Sequence, residues 1–172
     1  YNFWADILKE KEEKIKELEN KNIGQLYELI RQKLIKFGGP GYVKGESTDF
    51  PLFEEVVENT NRAGGIPIGT WLDGTNEGEK NPEILVELLR EKGIKGITII
   101  PERNWNIKDE KEKKLKTKNL NKFMEVCQKM NIPVICGTEM NKYGQPFVDN
   151  FKIPEIGKYL NYFIRSFEKL FL

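Results

Sequence analysis

Three short stretches of almost unbroken apolar character, separated by single helical segments, constrain this chain more than any other feature. They are residues 66–72, 96–100 and 132–137. A strand with one solvated face alternates polar and apolar side chains, whereas a strand of a parallel sheet covered on both faces is apolar throughout. Between these stretches lie helical segments 82–92, with Ile84, Leu85, Leu88 and Leu89 on one face, and 118–130. A single helix between consecutive strands is the crossover a parallel pair requires, and its right-handedness makes the strands neighbours with their carboxyl ends on one side. The expectation is an α/β fold of parallel β/α repeats with its functional groups at those ends.

Ahead of the repeats, residues 3–37 read as a helical hairpin broken at Asn20–Asn22 and stopped by Gly38-Gly39-Pro40-Gly41. Its Lys/Glu-rich surface fits a solvated pair of helices on the outside of a domain, with a short coiled coil as the other reading. Residues 41–49 read as a loop. A helix over 51–63 follows, with Thr48 or Asp49 as N-cap, and the last helix runs from about Pro154 to the end with Tyr159, Phe163, Phe167 and Leu170 as a packing stripe.

Composition excludes several chemistries. Histidine is absent, so neither imidazole acid/base catalysis nor a histidine-ligated metal is available within this chain. The 28 basic and 27 acidic residues are spread along the sequence, giving a net charge of +1 and no electrostatic case for a nucleic-acid or membrane-surface partner. No apolar run approaches the length of a membrane span and no signal-peptide pattern opens the chain. Cys127 falls in a predicted helix and Cys136 in a predicted strand, as buried thiols of a reducing compartment do, so the cytoplasm is expected.

Just past the three strand ends stand Asp73, Glu102 and Glu139, with Arg103, Asn104 and Asn141 beside them and Trp71 and Trp105 flanking the same rim. Converging carboxylates bind a hard cation or work as an acid and base pair; alternatively they cap helices, pair with Arg103 or tie down loops. The loop 74–79 lacks the lysine and glycine spacing of a phosphate loop, and no serine or cysteine nucleophile motif is present. The lysine run 108–118 reads as a solvated loop and helix start.

Three stretches resemble the polymerase-and-histidinol-phosphatase (PHP) family, whose members are distorted β/α barrels of metal-dependent phosphoesterases. Residues 63–71 (AGGIPIGTW) are similar to the family's "AGGIPVLAHP" strand, 88–99 (LLREKGIKGITI) to its "LKEAGVDGIEV" helix and strand, and 133–141 (PVICGTEMN) to its closing "GSDAH" strand. Trp71 stands where the family has a histidine ligand, and Glu139-x-Asn141 where it has Asp-x-His. The family's opening His-x-His motif would lie upstream of Tyr1. The resemblance implies a partial TIM-like barrel of the PHP type, residues 38–172, preceded by the helical hairpin 1–37 and belonging to a longer chain. It implies a hydrolase of the phosphoesterase type or a degenerate relative. Glu139 and Glu102 would be its catalytic carboxylates, Arg103, Asn104 and Trp71 its substrate contacts, and Glu139, Asn141 and Asp73 its metal ligands. Oxygen-only ligands suit manganese or magnesium and not zinc. The expected partners are a small-molecule substrate and either the missing N-terminal half or a second copy. Two alternatives remain: a non-catalytic binding domain on the same scaffold, or a glycosidase-like pair of Glu102 and Glu139 with carboxyl groups roughly 5–10 Å apart.

Overall fold

The structure, a computed structural model, describes residues 1–140 and 145–172. The chain divides into two compact units, one built on residues 1–50 and one on residues 51–139 with 146–172.

In the first unit, α1 (Asn2–Leu8), α2 (Glu12–Lys21) and α3 (Ile23–Ile30) bury Leu8, Ile15 and Leu26 in a small apolar cluster of their own. The break expected at Asn20–Asn22 is present, with the Asn22 side chain accepting from the Gln25 amide at 3.1 Å. A second break at Lys9 has no glycine or proline to announce it. Its backbone takes φ 53° and its N–H bonds back to the Ala5 carbonyl. The helix α3 runs on into a π-helical turn, Arg31–Ile35.

Asp49 does not cap the next helix. It closes a 3-10 turn, Ser47–Asp49, by accepting from the Glu46 amide at 2.7 Å. The helix α4 (Phe53–Arg62) starts later, where Glu55 reaches back to the Leu52 amide at 3.3 Å.

The second unit then follows the predicted alternation: β1 (Ile68–Trp71), α5 (Pro82–Glu91), β2 (Gly96–Ile99), a short helix α6 (Glu102–Trp105), α7 (Glu110–Met130), β3 (Val134–Cys136), α8 (Pro154–Gly157) and α9 (Leu160–Phe171). The strands pair in parallel in the order β1-β2-β3, with Gly69 opposite Ile97 and Ile97 opposite Val134. The chain is therefore a mixed α/β protein, mostly helical, with a small open parallel sheet among its described residues. Ile97 and Ile99 on the central strand are fully buried, and Leu120, Phe123, Met124 and Cys127 of α7 pack in the same core. Gly96 admits this packing, because a Cβ there would lie 3.0 Å from Leu170 and 3.2 Å from the Pro133 carbonyl.

Two boundaries differ from the sequence pattern for local reasons. The helix α7 begins at Glu110 rather than near Lys118, because Asp109 caps it by accepting from the Glu112 amide at 2.8 Å and acidic residues fill its first turn. The stretch 101–105, expected as a strand-end loop, winds into α6. At the start of the outer strand β3, Pro133 has no amide hydrogen and the Val134 amide donates to Ser166 Oγ of α9 at 3.0 Å, which blunts the sheet edge there. No helix among the described residues is long and apolar enough to cross a membrane.

Candidate functional site

The carboxyl ends of the three strands carry a chain of alternating charges. Asp73, two residues past β1, is 4 % exposed and accepts from the amide and hydroxyl of Thr75 at 3.1 and 2.5 Å. Lys116 on α7 lies 3.2 Å from its carboxylate and 2.8 Å from that of Glu112. Arg103 on α6 places Nη2 3.8 Å from Asp73 and Nη1 3.7 Å from Glu139, which follows β3. The sequence Glu139–Arg103–Asp73–Lys116–Glu112 thus ties together all three strand ends and the start of α7.

The network shifts the titration of Asp73 and Lys116. Burial pushes the Asp73 pKa upward, but hydrogen bonds from Thr75 and Lys116 outweigh it, leaving the carboxyl below its ordinary value. Burial likewise disfavours the Lys116 ammonium, and the carboxylates of Glu112 and Asp73 outweigh it, so the amine titrates above its ordinary value. A proton-transfer group works best with a pKa near the operating pH. Both groups are moved away from neutrality, which makes them fixed charges rather than an acid and a base. The thiols offer no nucleophile either: burial pushes Cys127 and Cys136 up to about 12, with the Asp149 charge adding to the effect at Cys136.

The other residues expected at the rim divide by depth. Asn104 is fully buried, and its Nδ2 donates to the Leu72 and Ile100 carbonyls at 2.9 and 3.1 Å, clasping the ends of β1 and β2. Trp71 is 1 % exposed and stacks on Phe123 with ring centroids 4.4 Å apart and planes 6° apart, so it belongs to the core in this structure. Trp105 packs against the same core. Glu102 opens α6 half-buried and accepts from Asn106 on its own turn at 3.4 Å. Asn141 lies outside the described residues. Among the described residues, no three of His, Cys, Asp and Glu come together to hold a metal ion.

Two buried carboxylates went unnoticed in the sequence. Glu79, in the loop after β1, accepts the three consecutive amides of Leu72, Asp73 and Gly74 at 3.0, 3.1 and 2.9 Å. Asn119 of α7 holds the same loop from its other side, donating to the Asp73 and Gly74 carbonyls at 3.0 and 3.2 Å. Gly74 sits at φ 71°, and a Cβ there would lie 3.0 Å from Asn119. Asp149, 5 % exposed, accepts from the Thr138 hydroxyl at 2.7 Å. Glu79 binds amides five to seven residues back and Asp149 a hydroxyl eleven residues back, and no recurring spacing marks either contact.

Among the described residues, the buried polar atoms with no hydrogen-bond partner are Arg103 Nε, Asn104 Oδ1 and Asp149 Oδ1 at the rim, and the indole Nε1 atoms of Trp71 and Trp105 in and against the core. Nearly all buried polar groups in folded proteins are satisfied, so such a concentration at one end of a sheet calls for an explanation. Fold and site together define a mixed α/β protein with a charge-networked rim at the carboxyl ends of a parallel sheet. Compared with protein-family models, curated proteins and solved structures, the chain matches none.

Proposed function

We propose that this chain is a binding domain on a PHP-like β/α scaffold, a degenerate relative of the metal-dependent phosphoesterases that holds a small anionic molecule at its strand-end rim. The observation carrying this reading is Arg103. Its guanidinium stands beyond hydrogen-bond distance of both neighbouring carboxylates, and its Nε has no partner. A guanidinium with donors to spare suits the fork geometry of a carboxylate or phosphate. The consecutive parallel order β1-β2-β3 supports the barrel-type scaffold, since neighbours in a barrel follow one another in the chain. The fixed charges on Asp73 and Lys116 suit a rim that binds a charged molecule. Free thiols at Cys127 and Cys136 fit a reducing compartment, the cytoplasm.

Two measurements test this reading. The first is turnover of phosphomonoester and phosphodiester substrates with manganese, magnesium or zinc. The second is thermal unfolding across a panel of small carboxylates and phosphates. The expected result is no turnover, and stabilisation by at least one anion that is lost in Arg103→Gln. Manganese-dependent turnover abolished by Glu139→Ala would instead restore the hydrolase.

A further inference from the structure

We infer that Asp149 is a second ligand anchor at this rim, taking an ammonium group, so that the molecule bound is a small zwitterion with its anionic end on Arg103. The inference rests on the rim being a small-molecule site and adds the chemistry of the ligand's other end. Asp149 is 5 % exposed, yet only its Oδ2 is engaged, by Thr138 at 2.7 Å; Oδ1 is buried with no partner. A carboxylate oxygen shut away from water without a donor is costly, and a cationic N–H donor compensates it best. Asn104 repeats the pattern independently. It is fully buried, its amide nitrogen is spent on the Leu72 and Ile100 carbonyls, and its Oδ1 is a second acceptor with nothing to accept.

Both acceptors belong to the end of the sheet where Arg103 lies. Thr138, which holds Asp149, precedes Glu139, which faces Arg103 at 3.7 Å, and Asn104 follows Arg103 on α6. Arg103 and Asp149 are the charged members of the unpartnered set, one a donor and one an acceptor, and together they match a molecule with one anionic and one ammonium end better than a plain carboxylate or a plain amine. The Asp149 oxygen is covered in this arrangement. Phe147 and Val148 beside it are 81 % and 63 % exposed.

The test is ligand-induced thermal stabilisation with amino acids of increasing length between their charged ends, from glycine to 6-aminohexanoate, together with lysine and diglycine. Matched carboxylates and amines that lack the second charge serve as controls. At least one zwitterion is expected to raise Tm at concentrations where both its controls leave it unchanged. Asp149→Asn should abolish that shift: the amide oxygen can still accept from Thr138 while its nitrogen replaces the unpartnered oxygen. Equal stabilisation by plain carboxylates, or a zwitterion shift that survives Asp149→Asn, overturns the ammonium anchor and leaves the anion-binding rim standing. No response to any compound, in a folded wild-type protein, overturns both.

Discussion

The carboxylate of Asp73 and the ammonium of Lys116 stand 3.2 Å apart, joining the end of β1 to the second turn of α7 with both side chains largely shielded from water. Each group holds the other in its charged form, and this couples stability to pH at both extremes. The Asp73 pKa is lowered on folding, so its contribution is present above the unfolded value of about 3.9 and is lost as pH falls through the folded value. The Lys116 pKa is raised, so its contribution is complete below about 10.4 and is lost as pH rises through the folded value. Lys116→Met should cost about 1.5–3 kcal/mol at neutral pH, in the range for hydrogen bonds to charged groups. Urea unfolding of both proteins should show the difference shrinking on acidification as Asp73 becomes protonated. A difference that stays constant through the acid limb would count against the pair.

Asn104 joins two strand ends that the sequence separates widely. Asn104→Leu removes both donations from Nδ2 and leaves the Leu72 and Ile100 carbonyls unsatisfied, which should cost about 1–3 kcal/mol in chemical denaturation. Asn104→Asp should be worse, because it sets a negative charge against two carbonyl oxygens. An aspartate variant as stable as the leucine variant would show that those contacts do not govern the site.

Glu79 gathers three successive backbone amides, and Glu79→Ala leaves them without their acceptor in a buried loop. The expected loss is about 1–3 kcal/mol or more, with amide exchange accelerated at Leu72, Asp73 and Gly74 ahead of β2. Unchanged protection at these three amides would mean that the loop is held by Asn119 alone.

Phe123 and Trp71 form the aromatic centre of the sheet–helix interface. Phe123→Ala should destabilise by about 3–5 kcal/mol, the range for truncating a large buried aromatic. Trp71 fluorescence should respond in the folded state. A loss below about 1 kcal/mol would show that the core collapses around the vacated space.

Much of the second unit was legible before any coordinates. The continuous apolar character of 66–72, 96–100 and 132–137 carried the parallel sheet, and the apolar face of 82–92 carried α5. Local chemistry at Lys9 and Asp109 was harder to read: one is a lysine in a left-handed turn, the other an ordinary aspartate in a lysine-rich run. The rim was half legible. Strand-end position picked out Asp73, Arg103 and Glu139, which do meet, but it drew in Trp71 by the same rule.

What the sequence determined by itself is what depends on short-range periodicity: where apolar runs become strands, which helices cross between them, and on which side of the sheet their polar ends emerge. Which of those ends meet was decided only in three dimensions. The Lys116 side chain comes from a stretch that reads as a solvated loop and helix start, and only its place on α7 beside the end of β1 sets it against Asp73. Trp71 is one residue from the same rim, yet its ring turns inward onto Phe123, because a large apolar surface is more stable stacked in the core than exposed at a polar edge. Charge pairing and side-chain direction depend on neighbours brought together by the crossovers, and no local spacing encodes those neighbours.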